Sequence, residues 1–121
     1  MEIEHGSGWA RLSLSGDVDA TWFDQHDAEI RSVLESCPRE VVIDVESVTF
    51  MDSSGLGLIA RCVKECQSQQ GAVYLVGSNP IIRSLVDMVG LSQMLTLVET
   101  PSDKRNLFQR LGETSPDPSL P

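Results

Sequence analysis

Residues 50 to 57 read Phe-Met-Asp-Ser-Ser-Gly-Leu-Gly, and this stretch takes the chain from an apolar strand into a helix. Two adjacent hydroxyls, those of Ser53 and Ser54, therefore lie at a helix N-terminus, where the first backbone N–H groups have no partner within the helix. The aligned peptide dipoles give the same end about half a positive elementary charge. A hydroxyl at this place either caps the helix or is positioned to receive a phosphate group, and the two roles predict different functions.

Strands and helices alternate on both sides of this junction. The run Glu-Val-Val-Ile-Asp-Val at 40–45 is rich in β-branched residues, which is typical of a buried central strand. A hairpin with a glycine turn at 6–8 precedes it, and 16–19 is predicted to be a loop. We expect strands at 3–5, 9–14, 40–45, 72–76 and 95–99, and helices at 21–36, 54–69, 80–89 and 102–111. This order predicts an α/β fold, a mixed β-sheet of about four to five strands covered by about four helices.

The helix near residue 80 has a clear beginning and an apolar stripe. Ser78-Asn79-Pro80 supplies a polar cap candidate followed by a proline in the first turn, and Gly90 ends the helix. Its apolar residues, which predict the face turned toward the core, are Ile81, Ile82, Leu85, Val86 and Val89.

The length suits one domain. A chain of 121 residues buries about two-thirds of its unfolded surface on folding. Hydrophobic residues make up 40% of it and charged residues 22%, which predicts a packed domain. We place the domain at residues 1–111. Residues 112–121 carry three of the six prolines and are predicted to form a disordered tail.

The charge argues against several classes of partner. Eighteen acidic residues against nine basic ones give a formal charge of −9, and this field would repel nucleic-acid backbones and anionic membrane surfaces. No stretch approaches the roughly 18 apolar residues that a membrane span needs, and no signal-peptide core follows Met1. We therefore expect a cytoplasmic protein that neither binds nucleic acid nor inserts into a membrane.

The three cysteines do not have the spacing of a metal or redox site. Cys62 and Cys66 are four residues apart, so they would share one helix face and offer two ligands. No nearby His or Cys completes the set, since Cys37 is remote and His5 and His26 are isolated. We interpret the pair as small buried thiols and expect no metal.

Residues 55–60 read Gly-Leu-Gly-Leu-Ile-Ala, which formally matches the glycine pattern of a dinucleotide-binding helix. Such a site needs an acidic residue roughly 20 positions further on for the ribose. The strand at 72–76 instead ends in Gly77-Ser78, and Asp52 would put a carboxylate close to the pyrophosphate. We therefore expect no cofactor.

Two roles remain for the junction. In the first, Asp52, Ser53 or Ser54 caps the helix, and Gly55 permits tight packing against the strand. In the second, a serine is phosphorylated, which adds about −1.5 to −2 charge and three acceptor oxygens. Free N–H groups and the helix dipole would accommodate this charge without unfolding the domain. The effect of the phosphate would then fall on a partner protein.

Several motifs in register carry a resemblance to a known family. Residues 48–57, Val-Thr-Phe-Met-Asp-Ser-Ser-Gly-Leu-Gly, closely resemble the signature of STAS-domain anti-sigma-factor antagonists of the SpoIIAA and RsbV type. Gly-Asp-Val-Asp at 16–19 looks like the family's Gly-Glu-Leu-Asp turn, with Asp17 in place of Glu. Residues 78–80 and 86–91 resemble the family's later helix and its Met-x-Gly-Leu ending. The resemblance covers residues 2 to 111 in the family's order and spacing.

The resemblance implies a partner-switching module that is not an enzyme. In the family, the unphosphorylated domain binds an anti-sigma factor that is also a serine kinase of the GHKL type, and the sigma factor is released. The kinase then phosphorylates the first serine of the motif, which corresponds to Ser53, and a PP2C-type phosphatase resets the domain. Ser54 would be a cap or a secondary contact, and Asp19 is expected beside Ser53. The resemblance thus predicts a partner-binding surface formed by Asp19, Asp52, Ser53, Ser54, Gly55 and Leu56.

The same fold also serves other pathways. The alternative is a STAS subunit of a lipid-transport ABC system or a stressosome-type scaffold, either of which keeps a hydroxyl residue at this position. An enzyme is disfavoured because neither His5 nor His26 lies in a catalytic type of motif.

Overall fold

The computed structural model of the chain describes residues 1–111, so the predicted tail at 112–121 lies outside the described residues. The strands are β1 (Glu2–Gly6), β2 (Trp9–Val18), β3 (Glu40–Met51), β4 (Ala72–Val76) and β5 (Thr96–Val98). The helices are α1 (Ala20–Glu35), α2 (Ser53–Ser68), α3 (Pro80–Met88) and α4 (Pro101–Leu111), with a short 3-10 helix at Leu91–Met94. The predicted α/β class is confirmed.

All strands belong to one sheet in the order β1-β2-β3-β4-β5. β1 and β2 form an antiparallel hairpin, and Gly8 in its turn has a φ of +82°, which only glycine adopts without cost. The later neighbours are parallel, so a crossover helix joins each pair. Since such crossovers are right-handed and the strands are added in one direction, α1, α2 and α3 cover the same face of the sheet.

The two faces of the sheet carry two cores of different size. The larger core joins Ile43 of β3 to Ile30 of α1 and Ile59 of α2, all fully buried. On the opposite face, Val42 of β3 packs with Phe108 of α4. β3 is therefore apolar on both faces, as expected of a central strand.

Cys62 and Cys66 lie on the inner face of α2 and belong to the larger core, where they are 0% and 1% exposed. Burial raises the pKa of the Cys62 thiol to about 12 and that of the Cys66 thiol to about 11. Both are the small buried thiols that the sequence indicates. Within residues 1–111, no group of three or more His, Cys, Asp or Glu side chains is placed to hold a metal ion.

Two strands run further than the sequence indicates. The predicted loop at 16–19 is wrong for its first three residues, because β2 continues to Val18 alongside the second half of β3. Two register shifts interrupt this pairing, and Gly16 accommodates one of them with a φ of +75°. The Thr49 hydroxyl donates a hydrogen bond of 2.9 Å to Asp17 across the two strands. Bulges of this kind bend a strand and redirect its end.

The predicted core face of α3 is wrong for two residues. Ile82 and Val86 are buried, but Ile81 is 72% exposed and Val89 is 54% exposed. A helix of nine residues turns one narrow face to the sheet, and the i, i+4 pair Ile82 and Val86 fills it. Ile81 precedes this face by one residue and points to solvent.

An ion pair and hydrogen bonds hold α4 against β3 and β4. Arg110 bonds both carboxylate oxygens of Glu40, at 2.8 and 3.1 Å, and the Tyr74 hydroxyl donates to the same carboxylate at 2.8 Å. The hydrogen bond from Arg110 lowers the pKa of the Glu40 carboxyl. The Arg11 guanidinium lies 4.3 Å from the centroid of the Phe108 ring. This cation–π contact joins β2 to α4.

We expect acid to weaken the docking of α4. Since the pKa of Glu40 in the folded state lies below its ordinary 4.5, its stabilisation is present above that pH and is lost as the pH falls through the folded-state pKa. Glu40→Gln is expected to cost about 0.5–1 kcal/mol in the free energy of unfolding at neutral pH, because the pair is partly exposed. The difference in the free energy of unfolding between the two chains is expected to disappear in acid, because Glu40 is then protonated and no longer forms the ion pair.

Urea unfolding at a series of pH values measures this difference. Glu29→Gln is the matched control, since Glu29 is exposed on α1 and forms no ion pair within residues 1–111. A cost of Glu40→Gln that stays constant down to about pH 3 contradicts the linkage.

Candidate functional site

The carboxyl ends of β2 and β3 lie side by side, and we call this place the carboxyl edge, formed by residues 18–19 and 51–53. Val18 and Met51 are the last paired residues of the two strands. The Asp52 N–H then donates to the Val18 carbonyl at 3.4 Å. α1 begins at Ala20 and α2 at Ser53, so the parallel pairing brings two helix N-termini together.

An aspartate caps each of these two helices. Asp19 accepts a 2.9 Å hydrogen bond from the Trp22 N–H of α1, and Asp52 accepts a 2.8 Å hydrogen bond from the Ser54 N–H of α2. Both aspartates have extended backbones, as N-cap residues do. Asp19 is therefore a half-buried cap at this edge, and its expected place directly beside Ser53 stays a prediction.

Ser53 is the first residue of α2 and is exposed. Of the three candidate caps, Asp52 occupies the role, so neither serine is needed for it. Within residues 1–111 the Ser53 hydroxyl has no hydrogen-bond partner, whereas Ser54 is half-buried behind it. The arrangement leaves one free, accessible hydroxyl at the carboxyl edge.

The expectation that free N–H groups would receive a phosphate on Ser53 is wrong for the donors that follow it. The Ser54 N–H donates to the Asp52 carboxylate. The Gly55 and Leu56 N–H groups donate to the Asp52 carbonyl at 3.1 and 3.2 Å. Asp52 thus accepts hydrogen bonds from the N–H groups of Ser54, Gly55 and Leu56, and its side chain lies next to Ser53 in sequence. A phosphate here would extend into solvent.

The other two predicted partner-binding residues lie beneath this surface. Gly55 is buried, and a Cβ added to it would lie 2.4 Å from the Met51 Cγ. Leu56 is partly buried and packs against the larger core. Gly55 therefore presents no side chain to a partner, and the part of Leu56 that stays accessible is small. The partner-binding role of all six residues stays a prediction.

One exposed apolar side chain at this edge was not among the predicted site residues. Phe50 is 52% exposed and precedes the buried Met51 on β3. Ile81, in the first turn of α3, is 72% exposed, but β4 pairs with β3 only as far as Asp44 and Val76, so the N-terminus of α3 is not placed at the carboxyl edge. Alternation alone would not have identified Phe50, because Thr49 next to it is exposed as well.

None of the helices in residues 1–111 combines the length and the apolar composition that crossing a membrane requires. The family model of the STAS domain matches residues 1–109. The chain therefore belongs to the STAS-domain family.

Relatives of known name have similar sequences. One from Paenibacillus polymyxa, named anti-sigma F factor antagonist, is 29% identical over 100 residues, which span 82% of this chain and 86% of the relative.

Solved structures share the fold. An anti-sigma factor antagonist from Mycobacterium paratuberculosis has a TM-score of 0.74 at 25% identity, over 89% of this chain and 92% of that one. The Bacillus cell fate determinant SpoIIAA, in its phosphorylated form, has a TM-score of 0.73 at 21% identity, over 91% and 97% of the two chains. The predicted STAS fold, a mixed sheet of five strands with four helices, is confirmed.

We expect the Asp52 cap to be measurable in the free energy of unfolding. Asp52→Ala removes the acceptor of the Ser54 N–H and is expected to cost about 0.5–2 kcal/mol. Asp52→Asn keeps a side-chain oxygen at the cap and is expected to cost only a few tenths of a kcal/mol, since asparagine is an equally good N-cap.

Urea unfolding at neutral pH distinguishes the two variants. Asp24→Ala on the exposed side of α1 is the control for the loss of a surface carboxylate. Equal destabilisation by Asp52→Asn and Asp52→Ala contradicts the capping role.

Proposed function

We propose that this STAS domain is an anti-sigma-factor antagonist that works by partner switching. In its unphosphorylated form it binds an anti-sigma factor, and the sigma factor is thereby released. The anti-sigma factor is also a serine kinase of the GHKL type. It transfers the γ-phosphoryl group of ATP to the Ser53 oxygen, ADP leaves, and the phosphorylated antagonist dissociates. A phosphatase of the PP2C type hydrolyses the phosphoserine and restores the binding form.

The observation that carries this proposal is the state of the Ser53 hydroxyl. It is exposed at the first position of α2, it has no hydrogen-bond partner in residues 1–111, and Asp52 relieves it of the capping role. A kinase can reach such a hydroxyl without unfolding any part of the domain. Relatives named anti-sigma factor antagonists and a SpoIIAA structure in phosphorylated form support the same assignment.

The surroundings of Ser53 support a repulsive switch. The Asp52 carboxylate is adjacent in sequence, and Asp19 caps the neighbouring helix at the same edge. A phosphate on Ser53 therefore adds a dianion to an acidic surface whose first-turn donors are already bonded. Lost interface hydrogen bonds and like charges in contact can together amount to several kcal/mol, or about a hundredfold in affinity.

An exposed apolar side chain fits the binding half of the cycle. Phe50, 52% exposed, is at the carboxyl edge with Ser53. In the unphosphorylated domain it supplies apolar area for a protein partner, as the centre of a protein interface requires. The phosphate would have to be desolvated within this apolar surface, which is a second reason for dissociation.

We expect that the domain is not an enzyme, because neither His5 nor His26 lies in a catalytic type of motif. We also expect it to act in the cytoplasm on protein partners. Its charge of −9 disfavours nucleic acid and anionic lipid surfaces as partners. The STAS subunit of a lipid transporter and the stressosome scaffold share the fold, but the names of the sequence relatives favour sigma-factor control.

Ser53→Ala is expected to abolish phosphate uptake and to retain binding of the anti-sigma factor. Intact mass spectrometry after incubation with ATP and candidate GHKL kinases of the same genome measures the uptake. Ser54→Ala is the matched variant, because it keeps the acceptor and is expected to gain one phosphoryl group. Phosphate uptake by Ser53→Ala, mapped to another residue by fragmentation, would refute the assignment.

Ser53→Asp is expected to bind the anti-sigma factor at least about tenfold more weakly than Ser53→Asn. The two side chains have nearly the same shape, so the difference isolates the charge. Calorimetry at low and at high salt measures it, and the difference is expected to shrink at high salt because the position is exposed. Equal affinities of the two variants at low salt contradict the repulsive switch.

A further inference from the structure

The two glycines of the motif have opposite surroundings. A Cβ added at Gly55 would lie 2.4 Å from the Met51 Cγ and 2.9 Å from its Sδ, whereas a Cβ at Gly57 would meet no atom within 4 Å. Both residues lie within α2, and neither has a positive φ. A glycine is therefore needed at position 55 because a larger side chain would overlap with Met51, and not because the backbone there has an unusual conformation. Nothing in the packing of residues 1–111 requires Gly57.

The atom that Gly55 approaches cannot move away freely. Met51 is the last residue of β3, is 5% exposed, and is paired with Val18 of β2. A rotation of the distal thioether does not move the Cγ, and a change of the Met51 χ1 angle needs space in the packed core where this side chain is buried. We therefore expect the first turn of α2 to move outward when a side chain is added at position 55.

Such a movement is transmitted directly to Ser53. Asp52 is the one residue between the end of β3 and the beginning of α2. The Gly55 N–H is bonded to the Asp52 carbonyl at 3.1 Å, so a shift at position 55 displaces the turn that contains Ser53. The cap bond between Asp52 and the Ser54 N–H belongs to the same turn.

We propose that Gly55 is the positioning residue of the phosphoacceptor. Its contact with Met51 sets how closely the first turn of α2 approaches the sheet, and this depth places the Ser53 hydroxyl at the carboxyl edge, directly after the Asp52 cap, where a partner kinase receives it. Gly55 thus acts on phosphorylation from beneath the surface, without touching the partner. The inference rests on the proposed function of Ser53.

Gly55→Ala tests this with Gly57→Ala as its matched control. The first is expected to lower kcat for Ser53 phosphorylation by the partner kinase at least about tenfold, and the second to leave it within about twofold. Met51→Ala removes the Cγ, Sδ and Cε atoms that the new methyl group meets. The double variant Met51→Ala with Gly55→Ala is therefore expected to recover most of the lost rate, although the loss of the buried Met51 side chain leaves it less stable than the unaltered chain.

Two measurements separate positioning from a loss of stability. Val86→Ala, a core substitution on α3 away from the carboxyl edge, serves as a destabilised control whose phosphorylation rate is expected to stay unchanged. Hydrogen exchange of the Ser54 amide, followed by NMR without any kinase, is expected to accelerate in Gly55→Ala and not in Gly57→Ala, because the cap bond is disturbed only in the first.

The outcomes distinguish the inference from the proposed function. If the unaltered chain takes up no phosphate on Ser53, the proposed function fails, and the exchange of the Ser54 amide still decides whether Gly55 positions this turn. If the unaltered chain is phosphorylated and Gly55→Ala keeps its rate within twofold, the inference is overturned. It is also overturned if Val86→Ala, at a melting temperature equal to that of Gly55→Ala, loses as much phosphorylation rate as Gly55→Ala does. A folded double variant that recovers none of the phosphorylation rate overturns it as well.

Discussion

The parallel pairing of β2 with β3, continued to Val18 and Met51, is the constraint on which the site depends. Without the second half of this pairing, the two strands would end several residues earlier and the two helices would begin apart from each other. The register shifts and Gly16 at φ +75° let the strands stay paired while they bend. The outcome is a pair of adjacent helix N-termini, each capped by the residue that directly follows a strand.

The Asp52 cap determines how a phosphate on Ser53 could act. A phosphate held by free N–H groups would act on its own helix and stabilise a new conformation of the domain. At Ser53 the donors that follow are already bonded to Asp52, so the phosphate would gain little from the fold. In the proposed switch, its charge acts against the partner that covers Phe50. The conformation of the domain would then stay the same, and only the affinity for the partner would change.

Much of the fold follows from the sequence, because its signals are local. The proline after Asn79 and the glycines at 71 and 90 place the helix boundaries to within about two residues, and the β-branched run at 40–45 places the beginning of the central strand but not its end at Met51. The longer β2 could not be predicted, since Gly16 and Asp17 are typical of loops and only their pairing with β3 makes them a strand. The exposure of Ile81 could not be predicted either. An apolar stripe tells which residues can face a core, but the available width of the sheet decides which of them do.

The candidate site was predictable to a different extent. The residues around Ser53 were identified by their motif, but three neighbouring polar side chains could each cap the helix, and only the backbone geometry assigns the role to Asp52. The sequence left two roles open for Gly55, tight packing against the strand and a place on the partner-binding surface. Gly55 is buried because it faces Met51. This direction depends on how α2 packs against the sheet and cannot be read from the motif. A motif reports which residues are needed, and the packing beneath it shows what each of them does.

The contacts that hold α4 and the proposed phosphorylation site lie at opposite ends of β3. At its first residue, Glu40 takes part in the cluster with Arg110 and Tyr74 that fastens α4, and after its last residue the chain reaches Ser53. β3 spans twelve residues from Glu40 to Met51, a distance well beyond the Debye length of about 8 Å in physiological salt. The charge of a phosphate at Ser53 would therefore have little effect on the ion pair between Glu40 and Arg110. If Ser53 is phosphorylated as proposed, the contacts that hold α4 are far enough away to stay intact through the cycle.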